Sequence, residues 1–162
     1  MSLKILVPES ENQWSECRSL HYDYVRKVGS RPLLSPYFAL KNFIAEIERM
    51  PDAYQTPNGI CLIAYLNDVA VGTVAFRRLD HKICEMKRLY VKSDARGAGV
   101  GTKLIERLIE EAKYLGFQKM RLDNSRSAMA KANQLYRQLG FYEIARYNNN
   151  TVADAYFMEK IL

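Results

Sequence analysis

Apolar residues recur along this chain in two periods, and the changes of period lay out its elements. Leu3 to Val7 alternates as a short strand, stopped by Pro8. From Ser10 to about Val28, Trp14, Cys17, Leu20, Tyr24 and Val28 fall at spacings of three and four, which predicts an amphipathic helix. Gly29-Ser30-Arg31-Pro32 breaks it. Ser35-Pro36 opens a second helix reaching about Met50, so residues 9–50 carry two helices. Pro51 to Gly59 reads as a loop. Ile60 to Leu66 and Val69 to Arg78 form a hairpin across Asn67-Asp68, and Asp80-His81-Lys82 turns into a further strand.

The second half continues with a long helix from Gly101. Its stripe of Leu104, Ile105, Leu108, Ile109, Ala112 and Leu115 stops at Gly116. Gln118 to Asp123 is a strand, and Ala128 to Leu139 a helix followed by Gly140. Phe141 to Tyr147 and Ala153 to Ile161 then pair across Asn148-Asn149-Asn150. The sum is one α/β (α+β) domain over 1–162, a mixed, mainly antiparallel twisted sheet with helices on both faces.

The strand Cys84 to Val91 does not alternate cleanly. One phase puts Glu85 and Lys87 in the core beside Leu89 and Val91; the other buries Met86 but also Arg88. A one-residue bulge near Lys87-Arg88 resolves the conflict. Met86, Leu89 and Val91 then point inward, while Glu85 and Tyr90 share the opposite, cleft face.

After that strand comes Arg96-Gly97-Ala98-Gly99-Val100-Gly101. Glycines let a backbone approach a ligand closely, and a helix start leaves amides unpaired at the positive end of its dipole. Together they describe a phosphate or pyrophosphate pocket. Counted from Gly97, a dinucleotide or nucleoside-triphosphate loop would need glycine where Thr102 stands. What fits is Arg-x-x-Gly-x-Gly, filled by Arg96, Gly99 and Gly101.

That spacing resembles the coenzyme A loop of the GNAT superfamily of N-acetyltransferases. The resemblance runs over residues 60–162, with the strand ending Leu89-Tyr90-Val91 before the loop and Leu135-Tyr136-Arg137-Gln138-Leu139-Gly140-Phe141 after it. It implies an acyl-coenzyme A N-acyltransferase fold, with acetyl-coenzyme A as co-substrate. The pyrophosphate is then expected on Arg96, Gly97, Ala98, Gly99, Val100, Gly101 and Thr102. The pantetheine arm is expected along Leu89, Tyr90 and Val91. Tyr136 occupies the family's general-acid position, and Glu85 a common base position. Many relatives carry asparagine seven residues before that tyrosine; here it is Met129, with Asn133 or Asn124 as substitutes, of which Asn133 is the expected coenzyme contact.

The chemistry needs both kinds of group. An alkyl amine with a pKa near ~10 is about one part in a thousand nucleophilic at pH 7, a penalty of ~4 kcal/mol that a base relieves directly or through water. A tyrosine near pKa ~10 facing a thiolate near ~8.5 transfers its proton uphill by ~2 kcal/mol, so hydrogen-bond stabilisation is most of its role.

Composition narrows the alternatives. Hydrophobic content is 48% and charged content 26% in 162 residues, and no apolar run approaches the ~20 residues of a membrane span. No signal-peptide core is read, and a cytoplasmic setting without membrane contact is expected. Cys17, Cys61 and Cys84 are scattered, and His21 and His81 isolated, so free thiols and no metal are expected. The net charge of +6 is dispersed among acidic neighbours, which argues against a nucleic-acid partner. The family's acceptor region maps to His21, Tyr22, Tyr24, Tyr37, Phe38 and Tyr147, for a small-molecule or a protein amine. A homodimer is compatible with all of this, and a coenzyme-binding sensor without turnover is the alternative to an enzyme.

Overall fold

The computed structural model describes residues 1–30 and 40–162. Seven strands form one sheet in the order β1-β2-β3-β4-β5-β7-β6. These are β1 (Leu3–Leu6), β2 (Gly59–Leu66), β3 (Val69–Arg78), β4 (Ile83–Val91), β5 (Lys119–Ser125), β6 (Tyr142–Glu143) and β7 (Ala155–Ile161). Every neighbouring pair is antiparallel except β4 and β5. Among the described residues four helices pack on the sheet, α1 (Glu11–Gly29), α2 (Leu40–Glu48), α3 (Val100–Tyr114) and α4 (Ala130–Gln138).

The two faces of the sheet carry separate cores. Alternation along β2 and β3 sends Leu62, Val74 and Phe76 toward Leu104, Ile105 and Leu108 of α3 and Tyr136 of α4. It sends Cys61, Ile63 and Ala75 toward Trp14, Cys17 and Leu20 of α1 and Ile47 of α2. Helix α1 starts at a capping box, where Ser10 accepts from the Gln13 amide and Gln13 accepts from Ser10. Its buried stripe includes His21 and Val25. Tyr24, expected within that stripe, sits at its edge and is half-buried.

The largest departures from the expected elements lie where the chain is short of ladder partners. The strand expected over 141–147 keeps only two ladder residues, Tyr142 opposite Glu159 and Glu143 opposite Met158. One further backbone bond runs from the Ile144 amide to the Phe157 carbonyl at 2.9 Å, and the segment then leaves the ladder, with side-chain bonds from Tyr147 and the following Asn148. Part of the expected loop 51–59 is a 3-10 turn, Asp52–Tyr54, whose Tyr54 is buried. The proposed start of the second helix at Ser35-Pro36, with Tyr37 and Phe38, lies outside the described residues.

The bulge in β4 is present. Lys87 pairs with Ala75 and Tyr90 with Thr73, so Arg88 and Leu89 together face Val74. Arg88 adopts a left-handed backbone with φ 63°. Met86, Leu89 and Val91 accordingly lie with the α3 core, and Tyr90 with the α1 core.

Candidate active site

The pairing of β4 with β5 covers only Ile83–Lys119, Cys84–Met120 and Glu85–Arg121. Beyond Glu85 the two strands part, and among the described residues no strand lies beside that edge of β4. A small cavity of about 70 Å³ occupies the gap, lined by Lys87, Arg88, Leu89, Asp123, Asn124 and Tyr136 among others. A cleft of about 790 Å³ extends from the same gap over the start of α3.

At that start the chain turns through Gly97 and Gly99, both left-handed with φ 83° and 76°, which a side chain adopts only with strain. A Cβ at either position would meet nothing within 4 Å, so these glycines answer to the backbone turn and keep the cleft floor bare. Gly99 is the N-cap of α3 and offers no side-chain cap. The first main-chain bond of the helix runs from the Lys103 amide to the Gly99 carbonyl at 3.1 Å. Amides 97 to 102 therefore have no main-chain partner among the described residues. They open onto a cleft that also carries Arg96, Lys27 and Lys131 and no carboxylate. Bare amides, a helix dipole and cations make this an anion site suited to a diphosphate. Arg96 is fixed by a bond from Nε to the Val91 carbonyl at 3.2 Å.

Of the residues expected to hold the coenzyme, Leu89, Tyr90, Val91, Arg96, Gly97, Gly99, Val100, Gly101 and Thr102 all line the cleft. Ala98 packs toward the α3 core. Asn133 sits elsewhere: it is 1% exposed, accepting from Asn124 at 2.7 Å and donating to the Ser125 carbonyl at 3.4 Å. It locks the β5–α4 corner, because a buried carboxamide takes the nearest partners. Met129 lines both cavities.

Tyr136 reaches the small cavity from α4, and its ring packs on Phe141 at 5.8 Å. Among the described residues none hydrogen-bonds its hydroxyl, and burial pushes its pKa above the ordinary tyrosine value. It is thus a proton-bearing donor facing the gap.

Glu85 has the face that alternation gives it but lines neither cavity. It is 2% exposed, accepting from Tyr147 Oη at 2.7 Å and from Lys87 Nζ at 3.2 Å, with Arg77 at 3.5 Å. Burial works to raise its carboxyl, and Lys87, Tyr147 and Arg77 together bring it below the usual range. The carboxylate that does line the gap is Asp123, absent from the sequence expectations. Its Oδ2 accepts from Asn148 at 2.8 Å and Asn150 at 3.1 Å. Only the end of β5 lying opposite Leu89 would have revealed it, and that follows from the splay rather than from any motif.

This arrangement has known counterparts. The sequence profile of the acetyltransferase (GNAT) family matches residues 30–141. The chain belongs to that family. An uncharacterised N-acetyltransferase of Schizosaccharomyces pombe is 34% identical over 107 residues, 65% of each chain. The N-acetylaspartate synthetase of Danio rerio is 33% identical over 127 residues, 76% of this chain and 44% of that protein. This GNAT chain spans from 32% to 65% of the length of the curated relatives it matches. Among solved structures, an acetyltransferase from Streptococcus agalactiae superposes with a TM-score of 0.80 at 23% identity, covering 99% of this chain and 98% of that one. The PaiA N-acetyltransferase of Thermoplasma acidophilum, solved with coenzyme A, superposes at 0.74 and 17% identity over 100% of both chains. Both solved structures share this fold over nearly the whole of the chain. Among the described residues no helix is long and apolar enough to cross a membrane.

Proposed function

We propose that this GNAT domain transfers an acetyl group from acetyl-coenzyme A to a primary amine by direct attack, without a covalent enzyme intermediate. One observation carries the reading: the bare amides 97 to 102 open into a cleft that leads straight to the β4–β5 gap and Tyr136. A diphosphate on the amides orients the pantetheine arm along Leu89, Tyr90 and Val91, so that the thioester arrives at the gap. The PaiA structure with coenzyme A supports this choice of ligand.

The reaction then needs three things of the chain. Asp123 attracts the incoming ammonium and takes its proton, directly or through water, which relieves the ~4 kcal/mol penalty of a protonated amine. A main-chain amide beside the bulge polarises the carbonyl, a contact worth roughly 3 kcal/mol in comparable sites. Tyr136 donates to the departing thiolate. Glu85 is a positioning residue in this scheme: it holds Lys87 in the cavity wall.

The same wall supports an acceptor class. Asp123 stands with the cations Lys87 and Arg88 around one small cavity, an arrangement suited to a molecule that carries an amine next to a carboxylate. The similarity to N-acetylaspartate synthetase points the same way. The unbridged thiols of Cys17, Cys61 and Cys84 support a reducing, cytoplasmic setting. The test is a thiol-release assay with acetyl-coenzyme A against amino acids, simple amines and peptides. Amino acids are expected to lead. Coenzyme binding without release on any acceptor would make the domain a sensor.

A further inference from the structure

Two cysteines and a histidine that acetyl transfer leaves unused meet between α1 and the sheet. Cys17 and His21 stand one turn apart on the buried face of α1, and Cys61 reaches them from β2. Their ligating atoms all lie within 4.8 Å of one another, and each side chain is at most 1% exposed. The two sulfurs are 3.2 Å apart, and Cys61 Sγ is 3.7 Å from His21 Nε2. Thr73 Oγ1 on β3 closes the group, at 3.2 Å from His21 Nε2, 3.6 Å from Cys61 Sγ and 3.7 Å from Cys17 Sγ. The expectation of scattered thiols and an isolated histidine is therefore wrong for this trio; 44 residues separate Cys17 from Cys61 in sequence, and only the α1–β2 packing joins them.

We propose that Cys17, His21 and Cys61, with Thr73 in the fourth position, bind one zinc ion. Tetrahedral zinc with sulfur at ~2.3 Å and nitrogen or oxygen at ~2.0 Å holds its ligands roughly 3.3–3.8 Å apart. Five of the six separations in the cluster span 3.2 to 3.7 Å, and Cys17 and His21 place their ligating atoms within 4.8 Å; the two sulfurs move apart by roughly half an ångström to take the ion. The Thr73 hydroxyl donates to the Leu62 carbonyl at 3.0 Å, which leaves its lone pairs for the cluster.

Charge favours a divalent ion. Two thiolates, a neutral imidazole and a hydroxyl around Zn²⁺ sum to zero, which a fully buried site tolerates. A monovalent copper ion on the same ligands would bury a net negative charge. Zinc binding expels both thiol protons to solvent. With Nε2 on the metal, the imidazole proton sits on Nδ1, which is buried and has no partner among the described residues. The site therefore lacks the usual support behind a metal-bound histidine, and affinity below that of a zinc finger is expected. Its role is to staple α1, which lends Tyr24 and Lys27 to the cleft, onto β2 and β3.

The test uses the full chain, purified anaerobically, stripped with a chelator and titrated with Co²⁺. One equivalent should bind with thiolate-to-cobalt charge-transfer bands and tetrahedral visible bands that zinc abolishes. Cys84→Ser should keep them, Cys17→Ser and Cys61→Ser should lose them, and zinc should raise the thermal midpoint of the parent alone. If either cluster variant fails to fold, the parent titration decides by itself. Absence of those bands in the parent, or a Cys17–Cys61 disulfide in its intact mass, would overturn the site.

Discussion

Glu46 on α2 grips Arg88 at the left-handed residue of the β4 bulge. Nε donates to Oε2 at 3.0 Å and a terminal guanidinium nitrogen to Oε1 at 3.3 Å, while Tyr54 adds a bond to Oε2 at 2.8 Å. The guanidinium also lies over the Phe43 ring at 3.7 Å. A helix on one face thereby fixes the backbone that shapes the reaction gap on β4.

Removing the carboxylate leaves a buried guanidinium without its partner, so Glu46→Ala should lose about 3–5 kcal/mol in urea unfolding. The pair is also sensitive to acid. Burial opposes ionisation of Glu46, but Arg88 and Tyr54 outweigh it and hold the carboxyl below its ordinary value. Such a group stabilises the fold above its unfolded pKa of ~4.3 and loses that contribution as pH falls through the lower folded value. The parent should lose stability steeply below about pH 4, and Glu46→Gln should decline less steeply. Parallel curves would contradict the assignment.

Tyr136 can be separated from packing by one atom. Its hydroxyl faces the cavity, and none of the described residues hydrogen-bonds it, so Tyr136→Phe should leave the thermal midpoint unchanged or slightly raised. Coenzyme affinity should stay within a few fold, while kcat falls by at least ~10-fold, the lower part of what acid–base groups contribute. Unchanged turnover would remove it from the mechanism.

Gly99→Asp places a carboxylate on the floor that receives the diphosphate and forces a side chain into a left-handed backbone. Calorimetry should show no coenzyme A binding. A folding cost of only ~1–2 kcal/mol is expected from the strain, so circular dichroism should remain native.

Asp123 and Glu85 make opposite predictions for the base. Asp123→Asn should lower kcat/KM by at least ~10² and shift its acid limb. Glu85→Gln should chiefly destabilise, because it leaves Lys87 buried beside a neutral amide, and its pH–rate profile should keep the parental shape. The reverse ranking would return the base to Glu85.

Helix stripes, the bulge and the glycine turn were legible in the sequence because each obeys a short local period or a backbone constraint. The stripe from Leu104 to Leu115 and the clash of phases at Lys87-Arg88 needed no knowledge of neighbours. What escaped depends on contacts made at long range. Glu85 reads as a cleft residue until Tyr147, Arg77 and Lys87 close over it. Asn133 reads as a ligand until Asn124 takes its carbonyl. Asp123 and the Cys17–His21–Cys61 group acquire meaning only once strand order and helix docking set them beside other elements. The second half of the strand expected over 141–147 fails for a related reason: side-chain hydrogen bonds from Tyr147 and Asn148 replace the ladder that alternation suggested.

The short β4–β5 junction divides the sheet into two panels, β1 to β4 and β5 to β7, joined along a seam three residue pairs long. A long, extended molecule in the opening bridges the panels as a missing strand would. Occupancy and stiffness of the sheet then become one variable: amide exchange should slow in both panels together when the opening is filled.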